Sequence, residues 1–261
     1  MLKRRLIPKL QLGIKQSYRG PQGVLVVTRQ FGNKRAIGNP LSQAKIYEAQ
    51  LADELILVDL ERTKESWEIL LDCLESISES LATPLTVGGG INSFIQVQQL
   101  LDRGADKIVI NSAALENPTL IEEVANSYGA QCVVVSIDVR SSDDGKWQVW
   151  TESGKKSTQL SPLTWSQRAI EHGAGEILIT SIERDGTGSG LELALIKELS
   201  SSIPVPIIAS GGCGLAQHFV EGFDSGAAAV AAGSFFSQRD QNPMQCRSHI
   251  RNAGYPIRLE V

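Results

Sequence analysis

The sequence predicts an α/β protein: a (β/α)8 TIM barrel built from two fused half-barrel repeats, with residues 1–261 forming a single domain. Short apolar runs alternate with helix-like stretches along the chain, which is typical of parallel strands joined by helices. The chain also repeats itself at a fixed spacing, and a glycine-rich turn occurs at the same place in each repeat. An open doubly wound sheet is the competing fold, but it usually carries one glycine fingerprint.

Eight apolar runs are the strand candidates, four in each half of the chain. They are LIPKLQLG (6–13), ELILVDL (54–60), PLTVGGG (84–90), KIVINSA (107–113), CVVVSID (132–138), EILITSI (176–182), VPIIASGG (205–212) and AAVAAGS (228–234). Helix-like segments such as FIQVQQLLDRG (94–104) separate them, which predicts right-handed βαβ units.

Three pairs of similar segments lie 122 residues apart. They are ADELILVD from residue 52 and AGEILITS from 174, VGGG from 87 and ASGG from 209, and GADKIVINSA from 104 and GAAAVAAGSF from 226. A common offset for three pairs indicates duplication of a four-unit half. Two such halves closing on each other predict the barrel.

Composition narrows the function classes. A net charge of −4 provides no basic field and argues against nucleic-acid binding, while 42% apolar residues predict a sizeable core. No run approaches the roughly 18 apolar residues of a membrane span, and the apolar part of MLKRRLIPKL is too short for a signal peptide. The sequence therefore predicts a cytoplasmic protein that binds neither membrane nor nucleic acid.

Cysteine and histidine give no sign of a metal site. The four cysteines are scattered and predict reduced, mostly buried thiols, and no two of the three histidines have a ligand-like spacing. We expect neither a metal nor a cofactor.

Polar residues and glycines cluster where the predicted strands end. In a (β/α)8 barrel the carboxyl ends of the strands form the active site. The residues there are Gln11, Asp59, Gly88–Gly90, Asn111, Ser112, Asp138, Thr180 to Asp185, Ser210–Gly212, Gly233 and Ser234. This ring predicts a substrate-binding mouth.

Two glycine-rich turns predict phosphate binding. VGGGINS and ASGGCGL each precede a helix-like segment, and glycine lets backbone N–H groups approach an anion closely. Tight turns also use glycine, so either turn alone leaves a structural role open. Their repetition, each followed by a small polar turn (INSAA and AAGSFF), favours two opposed phosphate sites and a substrate with phosphate at both ends.

Two aspartates, Asp59 and Asp138, lie at strand ends. A carboxylate there can act as a general acid or base, or can cap a loop or carry a surface charge. Gln11 holds the matching place on the first strand and can only donate and accept hydrogen bonds.

Over nearly its full length the chain resembles the cyclase subunit of imidazole glycerol phosphate synthase, a barrel that receives ammonia from a glutaminase partner. The segments that carry the resemblance are ADELILVDL, TVGGGI, GADKIVINSAALENP, AQCVVVSID, GAGEILITSIERDGT and PIIASGG. The resemblance implies a lyase-type, ammonia-dependent enzyme and a class I glutaminase bound at the N-terminal face of the barrel.

The resemblance also implies a role for individual residues. Asp138 is the expected general base, with Gln11 at the second catalytic position. The expected substrate-binding residues are Asp59, Thr180 and Asp185. One phosphate site consists of Gly90, Asn111 and Ser112, and the other of Gly186, Ser210, Gly211, Gly212 and Gly233. Arg5, Glu54, Lys107 and Glu176 match a salt-bridged ring that gates ammonia entry, or form a stabilising cluster on the bottom face.

The first strand departs from the family's pattern. The family has an aspartate, its second catalytic carboxylate, where this chain has Gln11, and Thr28 or Arg29 stands where the family has a loop lysine. Loss of a proton-transfer group typically costs about 10²–10⁴-fold in rate. The stretch from residue 14 to 38 is expected to be a mobile lid or a plain surface loop.

A retained gate beside a lost carboxylate suggests a paralogue. Relatives of this cyclase accompany a glutaminase in bacterial surface-sugar pathways, including lipopolysaccharide O-antigen biosynthesis, where they supply ammonia to convert an acetamido to an acetamidino group. The first alternative is a working histidine-biosynthesis cyclase that makes imidazole glycerol phosphate and an aminoimidazole carboxamide nucleotide. The second is a non-catalytic partner that activates a glutaminase.

Overall fold

The computed structural model describes residues 3–18, 20–142, 144–238 and 241–257. The strands are β1 Arg5–Ser17, β2 Gly20–Val27, β3 Arg35–Gly38, β4 Leu55–Asp59, β5 Leu85–Gly88, β6 Lys107–Ile110, β7 Val133–Ser141, β8 Trp147–Thr151, β9 Lys156–Ser157, β10 Glu176–Ser181, β11 Ile207–Ser210 and β12 Ala229–Ala232. The helices are α1 Pro40–Ala49, α2 Lys64–Ser78, α3 Phe94–Asp102, α4 Ser112–Glu116, α5 Thr119–Tyr128, α6 Pro162–Glu171, α7 Leu193–Ser202, α8 Gln217–Asp224, α9 Ser234–Gln238 and α10 Pro243–Asn252.

Eight parallel strands close into a barrel, which confirms the predicted fold. The hydrogen-bonded order is β1, β4, β5, β6, β7, β10, β11 and β12, and β12 pairs again with β1. Helices follow the strands and cover the outside, because strands of continuous apolar character need cover on both faces.

The internal repeat is visible in the strands. β5 and β11 begin 122 residues apart, and so do β6 and β12. The first strand of each half, β1 or β7, is long and extends into an antiparallel hairpin, with β2 and β3 after β1 and with β8 and β9 after β7.

The stretch from residue 14 to 38 is therefore not the loop or lid that we expected. Its described part continues β1 to Ser17, returns as β2 and turns again into β3. Its VLVV run packs inward at the end of β2, where Val26 and Val27 are buried. Apolar burial and ladder hydrogen bonds hold it as regular structure.

Two apolar clusters hold the barrel together. The larger lies between the strands and the helices, where α2, for example, buries Leu70, Leu71 and Leu74. The smaller fills the barrel interior and consists of Ile7, Ile56, Val109, Val134, Leu178, Ile208, Ala229 and Ala231. Burial of a large aliphatic side chain stabilises the fold by roughly 1.5–3 kcal/mol, so the outer cluster dominates stability.

No helix in the described part of the chain combines the length and the apolar character needed to cross a membrane.

Candidate functional site

Strand alternation sends every second residue of β1 into the barrel. Arg5 joins a charged ring at the bottom, Ile7 joins the interior cluster, and Lys9 and Gln11 reach the mouth. Side chains of a strand alternate between its two faces, so one strand contributes to every level of the barrel.

The mouth holds a cavity of about 300 Å³ at the carboxyl ends of the strands. Gln11 and Asp138 both line it, and so do Gly90, Asn111 and Ser112 of the first predicted phosphate site. Part of the polar rim predicted from the strand ends thus surrounds this cavity. Val58, Val109 and Leu178 are also in its lining and connect it to the apolar interior.

Asp138 is the most perturbed acid of the mouth. Burial, and to a smaller extent the Asp185 carboxylate, raise its pKa to about 6 against the lowering effects of Lys9, Asn111 and Arg62. Asn111 donates a hydrogen bond from Nδ2 to Asp138 Oδ2 at 2.8 Å. A carboxyl group that titrates near neutral pH is suited to proton transfer. Asn111, expected at a phosphate, therefore also orients the carboxylate.

Gln11 brings no ionisable group to the mouth. The described acid that shares the second cavity with it is Asp185, whose carboxylate accepts a hydrogen bond from Thr28 Oγ1 at 2.9 Å. Burial raises the pKa of Asp185, while Lys9, Thr28 and the Phe31 backbone act in the opposite direction.

Asp59 lines the cavity, but its carboxylate is occupied by the loop that follows β4. It accepts hydrogen bonds from the backbone N–H groups of Glu61 at 2.8 Å and Arg62 at 3.0 Å, and from Ser66 Oγ at 2.6 Å. These contacts are those of a loop cap, the alternative reading of this carboxylate. Substrate binding by Asp59 stays a prediction.

Thr180 lies level with Asp138 in the register of β7 and β10 but lines neither cavity. Its Oγ1 is buried and has no hydrogen-bond partner among the described residues. Its expected role at the substrate therefore also stays a prediction.

The second predicted phosphate site forms a separate small cavity of about 20 Å³. Its lining includes all five residues that we expected there, namely Gly186, Ser210, Gly211, Gly212 and Gly233. Gly212 has a φ of +114°, and a Cβ built on it would lie 2.0 Å from the carbonyl oxygen of Gly190. Only glycine fits this position.

A ring of alternating charges occupies the opposite end of the barrel. Arg5 contacts Glu54 at 2.8 Å and Glu176 at 2.7 Å, and Lys107 contacts the same two carboxylates at 3.0 Å and 2.8 Å. Thr86 Oγ1 also donates to Glu54 at 2.6 Å. Although burial acts to raise the pKa of Glu176, Arg5 and Lys107 outweigh it and hold this pKa below its usual range.

The structure adds mouth residues that the sequence did not single out. Lys9 lines both cavities, while Phe31, Arg62 and Ser153 close the larger one from the surrounding loops. The period-two alternation of β1 could have identified Lys9, because it shares a face with Arg5 and Gln11. Loop residues have no comparable signal. Within the described residues, no group of three or more His, Cys, Asp or Glu side chains is arranged to hold a metal ion.

Comparison with known proteins matches residues 5–241 to the family model "Histidine biosynthesis protein". The chain is 68% identical over 260 residues to a protein of Prochlorococcus marinus (strain MIT 9313) that is provisionally named imidazole glycerol phosphate synthase subunit hisF2, and the match covers 100% of both chains. It is 40% identical over 258 residues to imidazole glycerol phosphate synthase subunit HisF of Gluconacetobacter diazotrophicus, covering 99% of this chain and 97% of the relative. The HisF subunit of Geobacillus kaustophilus is 38% identical over 260 residues, covering 99% and 100%.

Proposed function

The chain belongs to the histidine biosynthesis protein family, and within it to the cyclase subunits of imidazole glycerol phosphate synthase, and from that premise we propose that it conducts ammonia to an altered reaction at its mouth. The proposed reaction is amidination of a bacterial surface sugar, in which ammonia converts an acetamido group into an acetamidino group. The nitrogen comes from a glutaminase subunit.

The charged ring and the apolar interior support ammonia conduction. The ring of Arg5, Glu54, Lys107 and Glu176 closes the bottom of the barrel. Each of its two cations pairs with both carboxylates, so the charges neutralise one another. Above it lies the apolar interior cluster, with the buried side chain of Ser136 level with Leu178. An ammonium ion would lose hydration there, at a cost of at least several kcal/mol. Neutral ammonia is the form that this interior favours.

The relatives' names support a partner, because they describe HisF proteins as subunits of a synthase. We place the glutaminase at the N-terminal face, around the charged ring. Ammonia released there enters at the strand starts and leaves at the carboxyl ends, beside Asp138.

Asp138 supplies the proton-transfer group at the mouth. An attacking ammonia molecule loses a proton as it bonds to carbon, and a carboxylate with a pKa of about 6 is ionised and able to accept that proton at neutral pH. Gln11 cannot deliver a proton from the other side. In the amidination, Asp138 takes the two protons that the attacking nitrogen loses and returns them to the acetamido oxygen, whose bond to carbon breaks and which leaves as water. One acid–base group that cycles in this way is sufficient.

A single observation carries the proposal: above a complete ring of paired charges, the mouth position of β1 is held by the amide of Gln11 and not by a carboxylate. The test is turnover of the purified chain with ammonium and the normal cyclase substrate, a bisphosphorylated ribulosyl formimino nucleotide. We expect a rate about 10²–10⁴-fold below that of a cyclase with both carboxylates. A rate close to that of the two-carboxylate enzyme would contradict the proposal.

A working histidine-biosynthesis cyclase is the second candidate, and the two glycine-lined cavities favour it because they suit a substrate with two phosphates. The variant Gln11→Asp separates the candidates. A large gain with the nucleotide substrate would indicate decayed cyclase chemistry, whereas no gain indicates a changed substrate. Ser42→Ala, which changes an exposed residue of α1 that lines neither cavity, is the control.

A further inference from the structure

Lys9 is a cation of the mouth to which the proposed reaction assigns no task. It lies on β1 between Ile7 of the apolar interior and Gln11 of the mouth, and it lines both the larger and the smaller cavity. It is the only lysine among the residues that line both cavities in the described chain. Its position is therefore the junction of the two spaces.

The ammonium of Lys9 makes no hydrogen bond or salt bridge with a described residue. It is close enough to Asp138 and Asp185 to lower the pKa of each carboxyl group. Those carboxylates accept their side-chain hydrogen bonds elsewhere, Asp138 from Asn111 and Asp185 from Thr28. Three donor hydrogens of a half-buried ammonium are thus left for a ligand.

Other cations of the mouth differ from Lys9. Lys34 forms a salt bridge with Glu61 at 2.8 Å, and the guanidinium of Arg62 donates to Ser153 Oγ at 2.5 Å. Both are thereby tied to loops at the rim. Of the described cations that line the mouth, Lys9 is the one that extends from the rigid barrel wall, so its charge has a fixed position.

The space beside Lys9 is open because residue 233 has no side chain. A Cβ built on Gly233 would lie 3.2 Å from the Lys9 carbonyl oxygen, 3.9 Å from Gln11 Oε1 and 4.0 Å from Lys9 Cβ. Glycine at this place leaves the flank of Lys9 and the Gln11 amide free on the side of the smaller cavity. An ammonium and an amide that share a free flank suit an oxyanion.

We infer that the ammonium of Lys9 binds an anionic oxygen group of the substrate at the junction of the two cavities. The group is a phosphate or a carboxylate, whose oxygens accept hydrogen bonds from Lys9. The inference deepens the proposed function, because it describes the nitrogen acceptor as an anion whose charge lies near the reacting carbon. It rests on the proposed function, which takes the mouth as the substrate site.

The test is a titration of the full chain with sulfate, which does not change its protonation near neutral pH, and separately with acetate. Isothermal calorimetry would compare the wild type with Lys9→Met, which keeps an unbranched side chain one atom shorter and removes its charge. We expect at least a tenfold loss of affinity in Lys9→Met. Lys45→Met, which removes an exposed lysine of α1, is the matched control and is expected to bind like the wild type.

Sulfate and acetate distinguish a phosphate group from a carboxylate group as the ligand of Lys9. Lys9-dependent binding of sulfate supports a phosphate group, and Lys9-dependent binding of acetate alone supports a carboxylate. Equal affinity of the wild type and Lys9→Met, or no binding of either anion to the wild type, would overturn the inference. If Lys9→Met fails to fold, Lys9→Gln serves in its place.

Failure of this inference is distinguishable from failure of the proposed function. Anion binding is measured without ammonia or an acceptor, while the nucleotide assay reports on the lost carboxylate. A chain that turns over the nucleotide rapidly but binds sulfate through Lys9 would refute the proposed function and retain the anion site.

Discussion

Asp138 combines deep burial with a charge that the proposed reaction needs. Its carboxyl pKa rises to about 6 because burial disfavours the ionised form more than Lys9, Asn111 and Arg62 favour it. An acid whose pKa is higher in the folded chain than in the unfolded chain stabilises the fold while it is protonated. That contribution is present below the unfolded pKa of 3.8 and is lost as the pH rises through about 6.

Asp138→Asn removes this pH dependence, because asparagine stays neutral while it can still accept a hydrogen bond from Asn111. We expect the variant to exceed the wild type in free energy of unfolding at pH 8 by up to roughly 3 kcal/mol, with the difference disappearing near pH 4. Urea unfolding at the two pH values measures it. A stability difference that shrinks as the pH rises contradicts this assignment.

Catalytic activity should also depend on ionisation of Asp138, but it should rise with pH where stability falls. Proton acceptance requires the ionised carboxylate, so wild-type turnover rises with pH through about 6, and Asp138→Asn should lose turnover at every pH. The variant is therefore expected to gain stability and lose function together, as is common for active-site groups.

The conformation of the glycine turn after β11 is fixed by close packing of its backbone against neighbouring backbone atoms. Gly211 and Gly212 both have positive φ, and a Cβ on either would approach a backbone oxygen to 2.5 Å or less. Backbone atoms cannot move aside as a flexible side chain can. The turn therefore keeps its form whether or not a ligand is bound, and its N–H groups are held ready for an anion.

Gly212→Ala tests this element. Because the added methyl would meet the Gly190 carbonyl oxygen, we expect a loss of at least roughly 2 kcal/mol in the free energy of unfolding together with weaker sulfate binding. Gly38→Ala is the matched control, since nothing lies within 4 Å of its built Cβ and it has no positive φ. Equal stability of the two variants would show that the turn can relax.

Elements differ in how well the sequence alone predicts them. Strand periodicity and the 122-residue offset identify the barrel strands, and the rule for strand ends identifies Asp138 and both glycine turns. Strands β2 and β3 escaped prediction because residues 14–38 are rich in glycine and basic residues, a composition that is typical of loops. Lys9 escaped because a lysine inside an apolar run reads as an exposed position. Loop residues such as Phe31 and Ser153 reach the cavity through tertiary contacts that no local pattern contains.

At the scale of the whole molecule, the barrel interior joins two chemically distinct ends. The charged ring lies at the strand starts and the polar mouth at the strand ends, with the apolar interior cluster between them. On the side of β12 this cluster contains two small side chains, Ala229 and Ala231. We expect ammonia to travel along that side.

Ala229→Leu should obstruct this route. In the complex with a glutaminase we expect turnover supported by glutamine to fall about tenfold or more, whereas turnover supported by added ammonium, which enters from the open mouth, should change little. Overpacking also costs roughly 1–3 kcal/mol of stability, so the comparison is made well below the melting temperature. A parallel loss of both activities would place the route elsewhere.

The amide at position 11 has a consequence for the direction in which a ligand can be seated. The two halves of the molecule are copies of one unit, and a rim with identical acids at both places would offer nearly the same surroundings to either end of an elongated compound. With Asp138 in one half and Gln11 beside Lys9 in the other, the copies are no longer interchangeable. A compound entering this barrel meets a proton acceptor at one end and a positive pole at the other, and so has one productive orientation.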